Sequence, residues 1–256
     1  MRCVRLRSND GSGPAPRRVF LSAQWRYLTM LNYEVDPGML SQFVPAGTSL
    51  DAWNGKTYVS LVGFRFLATR VLGIAFPLHR DFDEVNLRLY VRRDHAGELR
   101  RGVVFVREIV PKFLIAAIAR IVYNEHYIAL PMGHDVALGL NGAPSITTEY
   151  RWRFGGRWQR LGAHAAGRVA QPQPGSLAQF ITEHYWGYAK QRGGGTVEYE
   201  VTHEPWRLWS DAQGSYEGDA ALLYGARFGE VLQRKPDSVC IAEGSPINVL
   251  RGTRIA

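Results

Sequence analysis

The chain has 256 residues, 46% hydrophobic and 21% charged, which suits a soluble globular protein with one large domain or two small ones. Its net charge of +8 is no nucleic-acid signature: half of the excess sits in residues 1–18, where Arg2, Arg5, Arg7, Arg17 and Arg18 face Asp10 alone. The absence of an apolar run of about 18 residues excludes a membrane-spanning helix, and two cysteines, Cys3 and Cys240, exclude a disulfide framework or a cysteine metal site.

Residues 1–18 read as a disordered basic leader and residues 19–256 as a single domain. The start has no apolar secretory core, so a cytoplasmic location is expected. Val19 to Leu31 leaves helix and strand both open. Asp36-Pro37-Gly38 punctuates, and Met39, Leu40 and Phe43 predict a short helix ending before Pro45. Thr57 to Phe66, Glu84 to Val91 and Gly102 to Val110 predict strands, with Gly63 marking a bulge or a close approach. Pro111 then opens an apolar helix to about Tyr123.

Strands are predicted again at Glu149 to Phe154 and Arg157 to Leu161, joined by Gly155-Gly156 as a hairpin. Ser176 reads as the N-cap of a helix running through Lys190. Further strands are expected at Thr196 to His203, Arg207 to Trp209, Ser238 to Ala242 and Ile247 to Leu250, with helix across residues 217–232. Many short strands and few helices predict a β-rich α+β domain. It is expected to be a mostly antiparallel closed barrel or double sheet with flanking helices.

Chemistry-bearing residues concentrate on two strands. In Glu84 to Val91, alternation puts Val85, Leu87, Leu89 and Val91 on one face and Glu84, Asn86, Arg88 and Tyr90 on the other. Either the polar row faces water, or it lines an interior pocket in which Arg88 clamps a ligand carboxylate and Glu84 holds a cation or shuttles a proton. In Gly102 to Val110, alternation groups Val104, Val106, Glu108 and Val110 against Val103, Phe105, Arg107 and Ile109. Glu108 is then a proton handler or one end of a structural ion pair.

Lys112 follows Pro111 at a helix start, where the helix dipole and apolar neighbours both disfavour its charge. A neutral amine there attacks carbonyl compounds to form a Schiff base; the alternative is a lysine reaching out to solvent. The histidines show no zinc spacing, and no nucleophile elbow or nucleotide-binding glycine motif occurs. Neither a metal nor another cofactor is expected. The expected partner is a small molecule bearing a carboxylate or a carbonyl, with no nucleic acid and no membrane, and a homo-oligomer is compatible with the sequence.

The succession LNYEVDP (31–37), VPAGTSLDAWNGKTYVSLVGF (44–64), FDEVNLRLYV (82–91), RRGVVFVREIVPK (100–112), YNEHY (123–127) and SVCIAEGS (238–245) resembles the YqjF-like family of uncharacterised bacterial proteins. That family in turn is similar to the acetoacetate decarboxylase-like superfamily. The resemblance implies a closed, mostly antiparallel β-structure around a central pocket. In acetoacetate decarboxylases an Arg-Glu strand leads into Pro-Lys-Lys, and the first lysine forms the Schiff base. Arg107, Glu108, Pro111 and Lys112 match that order, while Phe113 stands in place of the second lysine, whose charge would help to depress the first. The resemblance therefore implies Lys112 and Glu108 as catalytic residues of a Schiff-base lyase, or a non-catalytic binding or structural protein on the same fold.

Overall fold

A computed structural model describes residues 17–77, 79–112, 126–139 and 144–256. The first sixteen residues, and with them most of the expected leader, lie outside the described residues, as does nearly all of the expected helix after Pro111, including Phe113.

The strands in chain order are β1 (Val19–Val35), β2 (Ser49–Leu50), β3 (Thr57–Val71), β4 (Phe82–His95), β5 (Glu98–Val110), β6 (Tyr127–Ala129), β7 (Met132–Gly139), β8 (Ser145–Phe154), β9 (Arg157–Ala166) and β10 (Val169–Ala170). They continue with β11 (Trp186–Lys190), β12 (Thr196–His203), β13 (Leu208–Trp209), β14 (Gln213–Glu217), β15 (Ser238–Leu250) and β16 (Thr253–Arg254). The described helices are short: α1 (Pro37–Leu40), α2 (Leu177–Thr182), α3 (Ala220–Tyr224) and α4 (Ala226–Leu232). None of the described helices is long and apolar enough to cross a membrane.

The strands form a 12-stranded sheet and a 4-stranded sheet. In the larger sheet, hydrogen-bonded neighbours run from β15 through β1, β3, β4, β5 and β11 to β12, and β12 also pairs with β15, with Val201 opposite Val249. The smaller sheet, β14-β9-β8-β7, covers one face of the larger. A core between them joins Leu31, Tyr33, Leu61, Leu87 and Leu89 to Tyr150, Trp152 and Leu161, and the apolar sides of α3 and α4 close the same layer. A second core, with Met30, Val62, Phe64, Phe66, Phe82 and Tyr90, fills the opposite face of the same strands. Both faces of β3 and β4 are thus buried, although β4 alternates apolar with polar residues, so its polar row is enclosed rather than facing water.

Most strand expectations match the described elements, and β1 resolves the ambiguous N-terminal stretch as strand. The short helix α1 begins where Asp36 caps it, its side chain accepting from the Gly38 amide. Gly63 is a close approach: a Cβ there would stand 2.6 Å from a ring carbon of Tyr150 and 2.9 Å from Leu161.

Three expectations are corrected. The helix capped by Ser176 ends at Thr182, and Trp186 to Lys190 is strand β11, because this aromatic-rich stretch finds ladder partners in β12 and β5. Residues 217–232 split into two helices at Gly225, whose φ of 94° interrupts the helical path. The two segments Ser238 to Ala242 and Ile247 to Leu250 are one strand, β15, held along its length by β1.

The face assignment on β5 also changes. Asn86 lies opposite Glu108 and Leu87 opposite Arg107, but Arg88 lies opposite Phe105, so Val106 is an extra residue. This bulge shifts the alternation by one. Val103 and Phe105 therefore share a side with Glu108, while Val104 and Val106 join the core between the sheets.

Candidate functional site

The inner face of the larger sheet surrounds a cavity of about 170 Å³. Its wall is mainly apolar, with Trp25, Phe64, Phe66, Phe82, Phe105 and Trp206 among the lining side chains. Against this background stand Glu84, Asn86 and Arg88 from β4, Glu108 from β5, Tyr127 from β6, and His184 and His203. Strand alternation delivers the β4 row: Val85, Leu87, Leu89 and Val91 pack between the sheets, which turns Glu84, Asn86 and Arg88 inward.

Glu84 is 3% exposed. Its carboxylate accepts from Asn86 Nδ2 at 3.0 Å and from the Tyr127 hydroxyl at 3.2 Å. Burial pushes its pKa up to about 7, against the smaller opposing pull of those two hydrogen bonds and the Arg88 charge. Tyr127 also touches Glu108, so one phenol bridges two buried carboxyl groups; burial first, then the charges of Glu108 and Glu84, push that phenol far above its ordinary value.

Arg88 is buried beside them. One terminal nitrogen donates to the Ile181 carbonyl oxygen at 3.2 Å and lies 3.7 Å from the Met30 sulfur, and its guanidinium carbon stands 5.5 Å from the centre of the Tyr90 ring. Its Nε is buried without a hydrogen-bond partner among the described residues, and no carboxylate among them forms an ion pair with it. Asn86 Oδ1 is likewise buried and unpartnered among the described residues.

Two further groups escape any sequence pattern. His184, just beyond α2, is also part of the wall, and its Nε2 lies 3.2 Å from Asp51 Oδ2. Arg101 Nε donates to the same oxygen at 2.7 Å. Burial works against a charged Asp51, but the hydrogen bonds from His184 and Arg101 outweigh it and hold the carboxyl below its ordinary range. Burial pulls the His184 pKa down to about 4. Asp51 and His184 are 133 residues apart, so no local spacing announces them. His203 stacks on Trp206 with ring centres 4.4 Å apart, and burial lowers its pKa as well.

Of the residues singled out in the sequence, Glu84, Asn86, Arg88 and Glu108 meet at the cavity. Tyr90 is not among the lining residues: its hydroxyl is 2.5 Å from Ser60 Oγ, and its ring backs Arg88. Lys112 is half-buried at the edge of the described chain and is not among them either. The YNEHY segment contains Tyr127, whose role at the two carboxyl groups was not legible from that motif alone.

Comparison with known proteins places these features in a family context. The uncharacterized protein YqjF of Bacillus subtilis is 28% identical over 191 residues, 72% of this chain and 73% of that protein. Among solved structures, acetoacetate decarboxylase from Legionella pneumophila is similar with a TM-score of 0.62 at 16% identity, covering 100% of this chain and 98% of that one. The enduracididine biosynthesis enzyme MppR complexed with pyruvate reaches 0.63 at 16% identity, covering 96% and 93%. These likenesses give the chain an acetoacetate decarboxylase-like fold. A model of the DUF2071 family of uncharacterized conserved proteins matches residues 22–246, and the chain belongs to that family.

Proposed function

We propose that the protein binds a small carboxylate- or carbonyl-bearing molecule inside the cavity, and that the circuit of paired strands around it is a closed barrel. The observation that carries this reading is Arg88, a buried guanidinium with an unused Nε donor in a largely apolar cavity. Arginine stays charged when buried, and a planar carboxylate is the group its fork of donors fits best. Glu84, Glu108 and Tyr127 then form the proton-handling side of the pocket, with Asn86 orienting Glu84. The pyruvate bound to MppR is a molecule of this kind, a carboxylate adjoining a carbonyl.

A second reading, a Schiff-base lyase, rests on Lys112 lying just past Val110 on the strand that supplies Glu108. Its amine would condense with a ligand carbonyl, releasing water, to leave an iminium that withdraws electrons from the adjacent bond.

Calorimetric titration with a panel of short carboxylates and oxoacids, pyruvate included, tests the first reading. At least one is expected to bind, and Arg88→Gln to weaken it by about tenfold or more. Equal binding by the variant, or no binding to the wild type, refutes it. Borohydride trapping with the oxoacids tests the second: an adduct on Lys112 that disappears in Lys112→Ala supports the lyase, and the absence of any adduct removes it.

A further inference from the structure

The ligand chemistry is narrowed further by His184. Its Nε2 faces Asp51 Oδ2, and Asp51 also accepts from Arg101. A carboxylate held ionised only accepts, so Nε2 carries the ring proton and Nδ1 keeps a lone pair. That Nδ1 is buried and has no hydrogen-bond partner among the described residues, on a side chain that is 1% exposed and part of the cavity wall. A buried acceptor without a donor costs folding free energy unless a ligand or a water serves it.

The ring has no freedom to turn away. Tyr90 and Phe180 hold it with ring centres 4.7 Å and 5.0 Å away, and Asp51 fixes its far edge. Tyr90 is the same ring on which the Arg88 guanidinium rests, so the unused donor of Arg88 and the unused acceptor of His184 flank one aromatic platform. Asn86 Oδ1 adds a second unserved acceptor on the same wall. A simple carboxylate offers only acceptors and satisfies Arg88 alone. A carboxylate that also bears a hydroxyl group satisfies both.

Resting on the carboxylate reading above, we infer that the cavity takes hydroxycarboxylic acids with an apolar tail, and that His184 is the specificity-determining residue, accepting a hydrogen bond from the ligand hydroxyl at Nδ1. The aromatic wall around Phe64, Phe66 and Phe82 receives the tail.

The test compares 4-methylpentanoate with its 2-hydroxy and 3-hydroxy forms by isothermal titration, together with the 15N resonance of His184 Nδ1. At least one hydroxy acid is expected to bind about tenfold or more tightly than the parent acid, since a site with a built acceptor discriminates against a ligand lacking the donor. Its addition is expected to move the Nδ1 resonance, and the parent acid is not. In His184→Phe the affinity ratio is expected to fall to within about twofold of unity. The wild-type ratio and resonance decide the matter even if that variant does not fold. Equal affinity for the hydroxylated and parent acids, or a ratio that survives His184→Phe, overturns the inference and leaves carboxylate binding standing. Failure of all three acids to bind overturns the inference, and the carboxylate reading falls with it only if the panel of short carboxylates and oxoacids fails to bind as well.

Discussion

Glu84 and His184 are buried on the same wall and respond to pH in opposite senses. The Glu84 pKa is raised from 4.5 to about 7, so the folded state prefers the protonated acid. Its contribution to stability is fully present below about pH 4.5 and is lost as pH rises through about 7. The His184 pKa is lowered from 6.5 to about 4, so its contribution is present above 6.5 and is lost as pH falls toward 4. Replacing Glu84 by Gln keeps the shape and removes the titration. The Tm of Glu84→Gln minus that of the wild type is therefore expected to grow as pH rises from about 5 to 8. A difference that stays flat across that range, measured by scanning calorimetry, contradicts a buried, raised Glu84.

At the scale of elements, two local devices decide what faces the cavity. The bulge at Val106 lets Phe105 and Glu108 point the same way, although simple alternation would separate them. Gly63 lets the smaller sheet settle on β3, with Tyr150 and Leu161 lying where a side chain would go. Backbone freedom is not the issue at this glycine; space is. Gly63→Ala is expected to lower unfolding free energy by about 1–3 kcal/mol through overpacking. Chemical denaturation checks the value, and an unchanged midpoint would mean that the two sheets separate easily at this point.

At the scale of the molecule, the ends of the chain hold each other. β1 pairs with β15 from Val19 to Asn32, and β15 also bonds β12 and β13. The sheets are cross-tied by polar contacts, one buried and two half-buried: Thr29 to Thr148 at 2.6 Å, Tyr150 to the Tyr27 carbonyl oxygen at 2.7 Å, and His134 to Asp83 at 2.9 Å. Long-range pairing of this kind makes the strands interdependent. Unfolding followed by circular dichroism and by tryptophan fluorescence is expected to give coincident transitions, and a chain ending at residue 237 to show no cooperative transition. A cooperative transition retained after that truncation would show that β15 is dispensable.

Alternation and turn chemistry made much of the fold legible, because they act within a few residues. The polar row of β4, the short helix after Asp36-Pro37-Gly38 and the Gly155-Gly156 hairpin are all local, and each stands where the sequence put it. Strand period also grouped Glu84, Asn86 and Arg88 on one face of β4, whereas on β5 it singled out Glu108 but put it with the wrong neighbours. What it could not disclose depends on distant partners. Trp186 to Lys190 is a strand because β5 and β12 offer it hydrogen bonds, and the bulge at Val106 exists only against β4. Asp51, Arg101 and His184 form one network across three separate segments, which only chain packing brings together. Tertiary structure decided the chemistry of the pocket, since burial and long-range pairing set which groups remain unserved there, and neither is a property of any short stretch of chain.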